Sequence, residues 1–279
     1  MRAQTPALAL LAGILATQAT GAPVPIDNPG FEADPAAPNT FPTGPVTAWP
    51  AYDPFNLLSS GGNATGVINP TGSTFFPGGA PEGDNAAILF ISQNIGAGPV
   101  GLSQTLATTW QAGTTYTLTV EVGNIASGTG SPPFDTYGFF DLDGFPGYSV
   151  QLLANGAVMA EDYNSLTIPE GEFATSEIEV TVPDGSFAIG LPIEIRLINL
   201  NFQDTPEDPG IEVDFDDVRL DAAPPCPADV NNDGVLDNAD IGDFVGYYLS
   251  SDPASDFNND GVIDNGDIGA FVTAFLAGC

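Results

Sequence analysis

Between Pro25 and Ala222 apolar and polar residues alternate at period two in several short stretches. In Thr115 to Gly123 the residues Tyr116, Leu118, Val120 and Val122 fall on one face, and Thr117, Thr119 and Glu121 on the other. Successive side chains of a strand point to opposite faces, so this pattern predicts a half-buried strand. Tyr148 to Leu153, Glu177 to Val182 and Ile193 to Leu197 alternate in the same way, between clusters of Gly, Pro, Asn and Asp. With no convincing helical period in the same span, the prediction for residues 23–222 is an all-β jelly-roll β-sandwich. One segment breaks its own parity, since Val213 and Phe215 alternate out of phase with Val218 and Leu220. A β-bulge at Asp216 and Asp217 would bring all four to one face.

Beyond Pro225 the period changes. Ile241, Phe244, Val245, Tyr248 and Leu249, and then Ile268, Phe271, Val272, Phe275 and Leu276, recur at helical spacing, which predicts two amphipathic helices packed face to face. They belong to a repeat: Ala228 to Ser250 recurs as Ser255 to Ala277 at an offset of 27 residues, with 14 of 23 positions identical. Residues 226–279 therefore form a second, small all-α module of paired loop-helix units, with 223–225 as a short Pro linker.

At the other end, Arg2 precedes the apolar run Ala7 to Ala16 and the small residues Ala19 to Ala22. Residues 1–22 read as a signal peptide, the run being too short to span a bilayer, which makes the expectation a secreted or cell-surface chain with no transmembrane segment after processing. The two cysteines, Cys226 and Cys279, bracket the C-terminal module. In an oxidising compartment their placement points to one disulfide, with two free thiols as the alternative; on the loop-entropy account such a bond contributes about 4 kcal/mol.

Charge changes the picture of what this chain can meet. It carries 36 Asp and Glu against 3 Lys and Arg, no His, and a formal charge of -33. Nucleic acid and anionic membranes are poor partners for such a surface. The lack of His removes imidazole acid/base chemistry and His-dependent zinc sites and triads. Clustered carboxylates favour hard divalent cations, calcium first.

The repeat supplies the clusters. Each copy opens with a twelve-residue loop whose oxygen-bearing residues fall at positions 1, 3, 5, 9 and 12, with Gly at 6 and a backbone carbonyl at 7, the spacing of calcium loops. These are Asp229, Asn231, Asp233, Val235, Asp237 and Asp240 around Gly234, and Asp256, Asn258, Asp260, Val262, Asp264 and Asp267 around Gly261. Pro225, Pro227 and Pro253 leave no helix in front of either loop. The duplicated loop-helix arrangement from Cys226 to Cys279 resembles the dockerin family, nearest to dockerin-like modules that end bacterial secreted proteins in Gly-Cys, here Gly278-Cys279. That resemblance implies two calcium ions and attachment to a cohesin-like or cell-surface anchoring partner. The recognition pairs of cellulosomal dockerins are replaced by Asn238-Ala239 and Asn265-Gly266.

In the sandwich, Asn28 to Glu32 near the start and Asp214 to Val218 near the end resemble the terminal motifs of calcium-stabilised carbohydrate-binding modules. That resemblance assigns an ion to Glu32 and Asp216, with Asp217 in reserve. Over nearly the whole domain the chain also resembles the calcium-dependent cyclases of hapalindole-type indole alkaloids, on Asn28 to Glu32, Trp49 to Asp53, Ile68 to Pro70, Phe76 to Leu89, Leu102 to Leu106, Thr114 to Asn124 and Val213 to Leu220. In that family a carboxylic acid in an aromatic cavity protonates the substrate, and the matching position is Asp214.

Three functions compete on these residues. The leading expectation is a non-catalytic module that binds a polysaccharide or other surface glycan on rings such as Trp49, Tyr52 and Trp110. Another is a calcium-dependent enzyme, either cyclase-like with Asp214 as acid or polysaccharide-active with a carboxylate pair. The last is a structural adhesion component. Gly61-Gly62 and Gly78-Gly79 lack the lysine and helix of a phosphate loop.

Overall fold

The computed structural model describes residues 17–18, 21–92, 96–202, 210–231, 233 and 235–278. Most of the expected signal peptide, together with Gly234 and Cys279, lies outside the described residues.

The chain divides into two compact units, residues 21–222 and residues 223–279 with the first twenty. Among the described residues the larger unit holds eleven strands in chain order: β2 (Ala22–Pro23), β3 (Ala51–Tyr52), β4 (Ala64–Ile68), β5 (Ala86–Phe90), β6 (Val100–Thr109), β7 (Thr115–Asn124), β8 (Tyr148–Ala154), β9 (Ala157–Tyr163), β10 (Glu172–Thr181), β11 (Pro192–Asn199) and β12 (Glu212–Ala223). The number β1 is kept for Thr17–Gln18 of the smaller unit. One sheet runs β10-β7-β12-β5-β4 with β2 beside β12, and the other runs β3-β6-β11-β8-β9. The described pairings are antiparallel. Successive long strands cross between the sheets, β6 to β7 and β9 to β10 among them, and give the sandwich expected from the alternating segments.

Parity explains the burial. Tyr116, Leu118, Val120 and Val122 of β7 point between the sheets and are buried with Val150, Leu152, Ile193, Ile195 and Leu197 of the facing sheet. The predicted bulge exists: Asp217 has a left-handed φ of 47°, and on either side of it Val213, Phe215, Val218 and Leu220 all enter this core. Trp49 and Trp110 are also inside it, each fully buried. Their indole N–H groups donate to the carbonyls of Asn28 and Leu153 at 3.0 and 3.1 Å.

A second apolar cluster covers the outer face of the first sheet. Ile68 of β4 and Ala86 and Ile88 of β5 point there, opposite in parity to Val67, Ala87 and Leu89. Phe75, Phe76, Leu142 and the half-buried Phe41 and Phe140 pack over them from the connecting segments. Long connecting segments roof this face.

In the smaller unit β1 pairs with β13 (Val235–Leu236), and two helices follow, α1 (Asn238–Ser250) and α2 (Asn265–Ala277). Asp237 and Asp264 cap them, each in a reciprocal box with the residue three further on, Asp240 or Asp267. Phe244 and Phe271, 27 positions apart, stack with ring centres 4.1 Å apart and planes 3° from parallel. The apolar stripe is buried more narrowly than its period predicts. Leu249 and Leu276 in the last turns are 78% and 80% exposed, and Val245 and Val272 are also outside, since two short helices can cover only the central layer of each other. Cys226 is held in a disulfide.

Candidate active site

Between the outer face of the first sheet and its roof lies a cavity of about 280 Å³. Its apolar wall comes from Phe41, Ile68, Phe75, Ile88, Phe90 and Phe140. The rings stand edge to face, Phe41 against Phe75 at 5.9 Å and against Phe140 at 5.2 Å, the arrangement favoured by ring quadrupoles. Thr43 and Asn63 contribute polar atoms, and Glu212 is the one acidic residue in the wall.

Strand β12 brings the acids here. Because Val213 and Phe215 face the core, Glu212, Asp214 and Asp216 face outward. Glu212 pairs with Phe90 and Asp214 with Ile88 across the β5 ladder. Asp214 is completely buried, and neither carboxyl oxygen has a hydrogen-bond partner. Burial drives its pKa well above the ordinary carboxyl range, and the neighbouring charge of Glu212 adds to the shift. Burial also pushes Glu212 up, to about 8. Both groups favour the neutral acid, because an ionised carboxyl among phenyl rings loses its hydration with nothing in return.

Asp214 thus lies behind the cavity wall, on the same sheet face as Glu212 but not itself among the lining residues. The sequence pattern did not single out Glu212, Phe41, Phe75, Phe90 or Phe140. The available signal was parity: on a strand with Val213 and Phe215 inside, Glu212 must share a face with Asp214. Nothing local announced that loop residues Phe41, Phe75 and Phe140 would cover that face.

Two of the three expected sugar-stacking rings are not available on the sandwich. Trp49 and Trp110 are core residues, which corrects the expectation that they present faces to a glycan; their size makes them fillers of the space between sheets. Tyr52 is half-buried and stacks under the Arg196 guanidinium at 4.5 Å.

Glu32 and Asp216 reach the same loop. Glu32 accepts the N–H groups of Asp84 and Asn85, each at 2.7 Å, and the Asn85 side-chain amide at 3.0 Å. Asp216 accepts from the N–H of Glu82 at 2.8 Å and of Asp217 at 2.7 Å. Burial pushes Asp216 up to about 8, against the pull of these two N–H donors. Gly83, with φ 59°, lets the loop pass close to Glu32, whose Oε1 would lie 2.3 Å from any Cβ there. Asp217, the reserve ligand, forms an ion pair with Arg219 at 2.7 Å.

The two C-terminal loops share a set of matching hydrogen bonds. Asp233 and Asp260 donate their N–H to Asp229 and Asp256, both at 3.1 Å, and to Asn231 and Asn258, both at 2.9 Å. Val235 and Val262 donate to Asp233 and Asp260 at 2.9 and 2.8 Å. Asp237 and Asp264 donate to Asp240 and Asp267, both at 2.8 Å. Among the described residues, however, no three acidic, Cys or His side chains converge into a metal cluster, either here or at Glu32 and Asp216. The carboxylates as placed serve as acceptors for backbone N–H groups.

Residues 22–221 match the HpiC1-like family, described as HpiC1 cyclase. Among solved structures, a cyclase from Fischerella sp. TAU in complex with 4-(1H-indol-3-yl)butan-2-one is 37% identical, with a TM-score of 0.63, covering 73% of this chain and 98% of its own. The Stig cyclase Fisc from the same organism, in complex with (3Z)-3-(1-methyl-2-pyrrolidinylidene)-3H-indole, is likewise 37% identical with a TM-score of 0.63, covering 74% and 100%. No curated protein matches the chain.

Proposed function

The chain belongs to the HpiC1-like cyclase family over residues 22–221, and from that premise we propose that its sandwich is an acid-dependent cyclase with Asp214 as proton donor. The observation that carries this reading is a fully buried carboxyl with both oxygens unpartnered, on the sheet face roofed by phenylalanines. An acid held neutral in this way can protonate an alkene or an electron-rich ring. The resulting cation closes a carbon–carbon bond, and a proton lost from the new ring returns to the carboxylate, so the product is an isomer of the substrate. Phenyl faces around the cavity stabilise the positive charge while it exists.

The reading is tested with an indole bearing a pendant alkene, incubated with the full chain in D2O. Mass spectrometry is expected to find a ring-closed isomer carrying one deuterium, and Asp214→Asn to abolish it. Failure of 4-(1H-indol-3-yl)butan-2-one to bind the full chain in calorimetry would remove the cavity as the substrate site. The glycan-binding reading loses its two indole rings with the burial of Trp49 and Trp110.

Calcium enters the proposal as structural support. Family members are calcium-dependent cyclases, and Glu32 and Asp216 would hold an ion with the 82–85 loop, each carboxylate having lone pairs beyond its present hydrogen bonds. No proton step passes through it.

For residues 226–279 we infer a dockerin-like module that holds two calcium ions and anchors a secreted enzyme to a cohesin-like or cell-surface partner, closed by a Cys226–Cys279 disulfide. The duplicated oxygen spacing and the matched hydrogen bonds support it. Calorimetric titration of the chelator-treated chain with Ca²⁺ should reveal two tight sites, lost one at a time in Asp233→Ala and Asp260→Ala.

A further inference from the structure

We propose that the cavity selects organic cations, protonated amines on an aromatic or aliphatic body, with Glu212 as their counter-ion. The inference rests on the reading of this cavity as the substrate site and adds the charge of the substrate to it.

The wall offers a carboxyl and no opposite charge. Among the described residues Arg196 is engaged with Glu194 at 2.6 Å and Arg219 with Asp217; neither lines the cavity, and the chain has no Lys or His. The other polar side chains give little. Asn63 is occupied, its Nδ2 donating to the Leu57 carbonyl at 2.8 Å and its Oδ1 accepting from the Ser92 N–H at 2.8 Å. Beside the Thr43 hydroxyl, Glu212 is therefore the polar side chain left for a ligand, and the one that can carry charge.

Its surroundings have the composition that recognises ammonium groups. Phe41, Phe75 and Phe140 meet edge to face, and Phe90 stands opposite Glu212 on the neighbouring strand. Ring faces attract a desolvated cation, and a carboxylate beside them completes the cage. An anionic ligand would meet an uncompensated carboxyl in a chain of charge -33.

Three indoles that differ in charge test this: tryptamine, tryptophol and indole-3-propionate, titrated calorimetrically into the full chain at neutral pH. Salt at about 0.15 M screens the general attraction of an acidic surface for cations. Tryptamine is expected to bind at least about tenfold more tightly than tryptophol, with indole-3-propionate weakest. Glu212→Gln, which keeps the volume of the side chain, should reduce tryptamine to the level of tryptophol. Equal binding of tryptamine and tryptophol, or a preference that survives Glu212→Gln, overturns the inference and leaves the acid-site reading intact. If none of the three binds, both fall together.

Discussion

Glu212 and Asp214 sit one pleat apart on the same face of β12, Glu212 in the cavity wall and Asp214 sealed beneath it beside Ile88. A strand repeats its facing every second residue, so this pairing is built into the segment once Val213 and Phe215 are committed to the core. The wild-type chain keeps two acids in a place where phenylalanines give them no hydrogen bond. Such an arrangement lowers stability and is retained where the acids do chemistry.

The first consequence is a pH-dependent stability with a definite sign. For Glu212 the ordinary value is 4.5 and the folded value about 8. Below the lower value the group is protonated in both states and has no effect. Between them the unfolded chain releases a proton that the folded chain keeps, so stability falls by up to about 1.4 kcal/mol per pH unit, and above the upper value the loss is complete. Asp214 acts in the same direction. Glu212→Gln should melt with the wild type near pH 4 and several degrees above it at pH 8. A constant difference between the two melting curves across that range would contradict the burial of Glu212.

Gly66 tests how the roof is seated. It faces the outer cluster from β4, and a Cβ there would lie 2.4 Å from the Pro42 carbonyl and 2.8 Å from the Thr43 Cα, both backbone atoms that cannot turn aside. Gly66→Ala should push the 42–43 segment off the sheet, destabilise the sandwich by about 1–3 kcal/mol, and weaken binding of an indole probe. Unchanged denaturant midpoint and unchanged probe affinity would show that the segment is not held against β4.

Most of the sandwich is legible in the sequence because its signal is local. Period-two alternation in Thr115 to Gly123 dictates which side of β7 is buried, and the parity break after Phe215 is by itself enough to require the bulge at Asp217. The aromatic rings mislead for a physical reason: Trp49 and Trp110 lie in segments where composition alone cannot say whether a ring fills a core or faces water. The roof is invisible for a different reason. Phe41, Phe75 and Phe140 come from irregular segments with no period, and only the three-dimensional course of the chain brings them over Ile88 and Glu212. The C-terminal helices have the extent their spacing predicts, but Leu249 and Leu276 illustrate that a hydrophobic stripe marks a face without saying how much of it finds a partner.

Phe271 reports on the independence of the smaller unit. It is stacked on Phe244 and meets Phe257 edge to face at 5.5 Å, and Phe244 and Phe271 are two of the four buried residues of this core, with Phe257 packed against them. Phe271→Ala removes a contact worth about 3–5 kcal/mol in a well-packed site, more than a core of this size can lose. The variant should show one calorimetric transition, that of the sandwich at its wild-type temperature. A sandwich transition displaced along with it would mean that the two units unfold as one.

Withdrawal of calcium addresses the repeat directly. Each loop places four Asp within twelve residues, Asp229, Asp233, Asp237 and Asp240 in the first and Asp256, Asp260, Asp264 and Asp267 in the second. The backbone N–H groups that meet these carboxylates shape the loops but do not cancel the charge. With a divalent cation the oxygens have a common partner; without one the repulsion falls on the capping boxes of Asp240 and Asp267, from which both helices start. Among the described residues α1 and α2 are the only α-helices, so a chelator-sensitive helical signal in far-ultraviolet circular dichroism reports this module. Excess chelator should remove most of that signal, and millimolar Ca²⁺ should restore it, while Mg²⁺, which prefers a smaller octahedral shell, restores it less. A helical signal indifferent to chelator would leave the loops as hydrogen-bonded turns that need no ion.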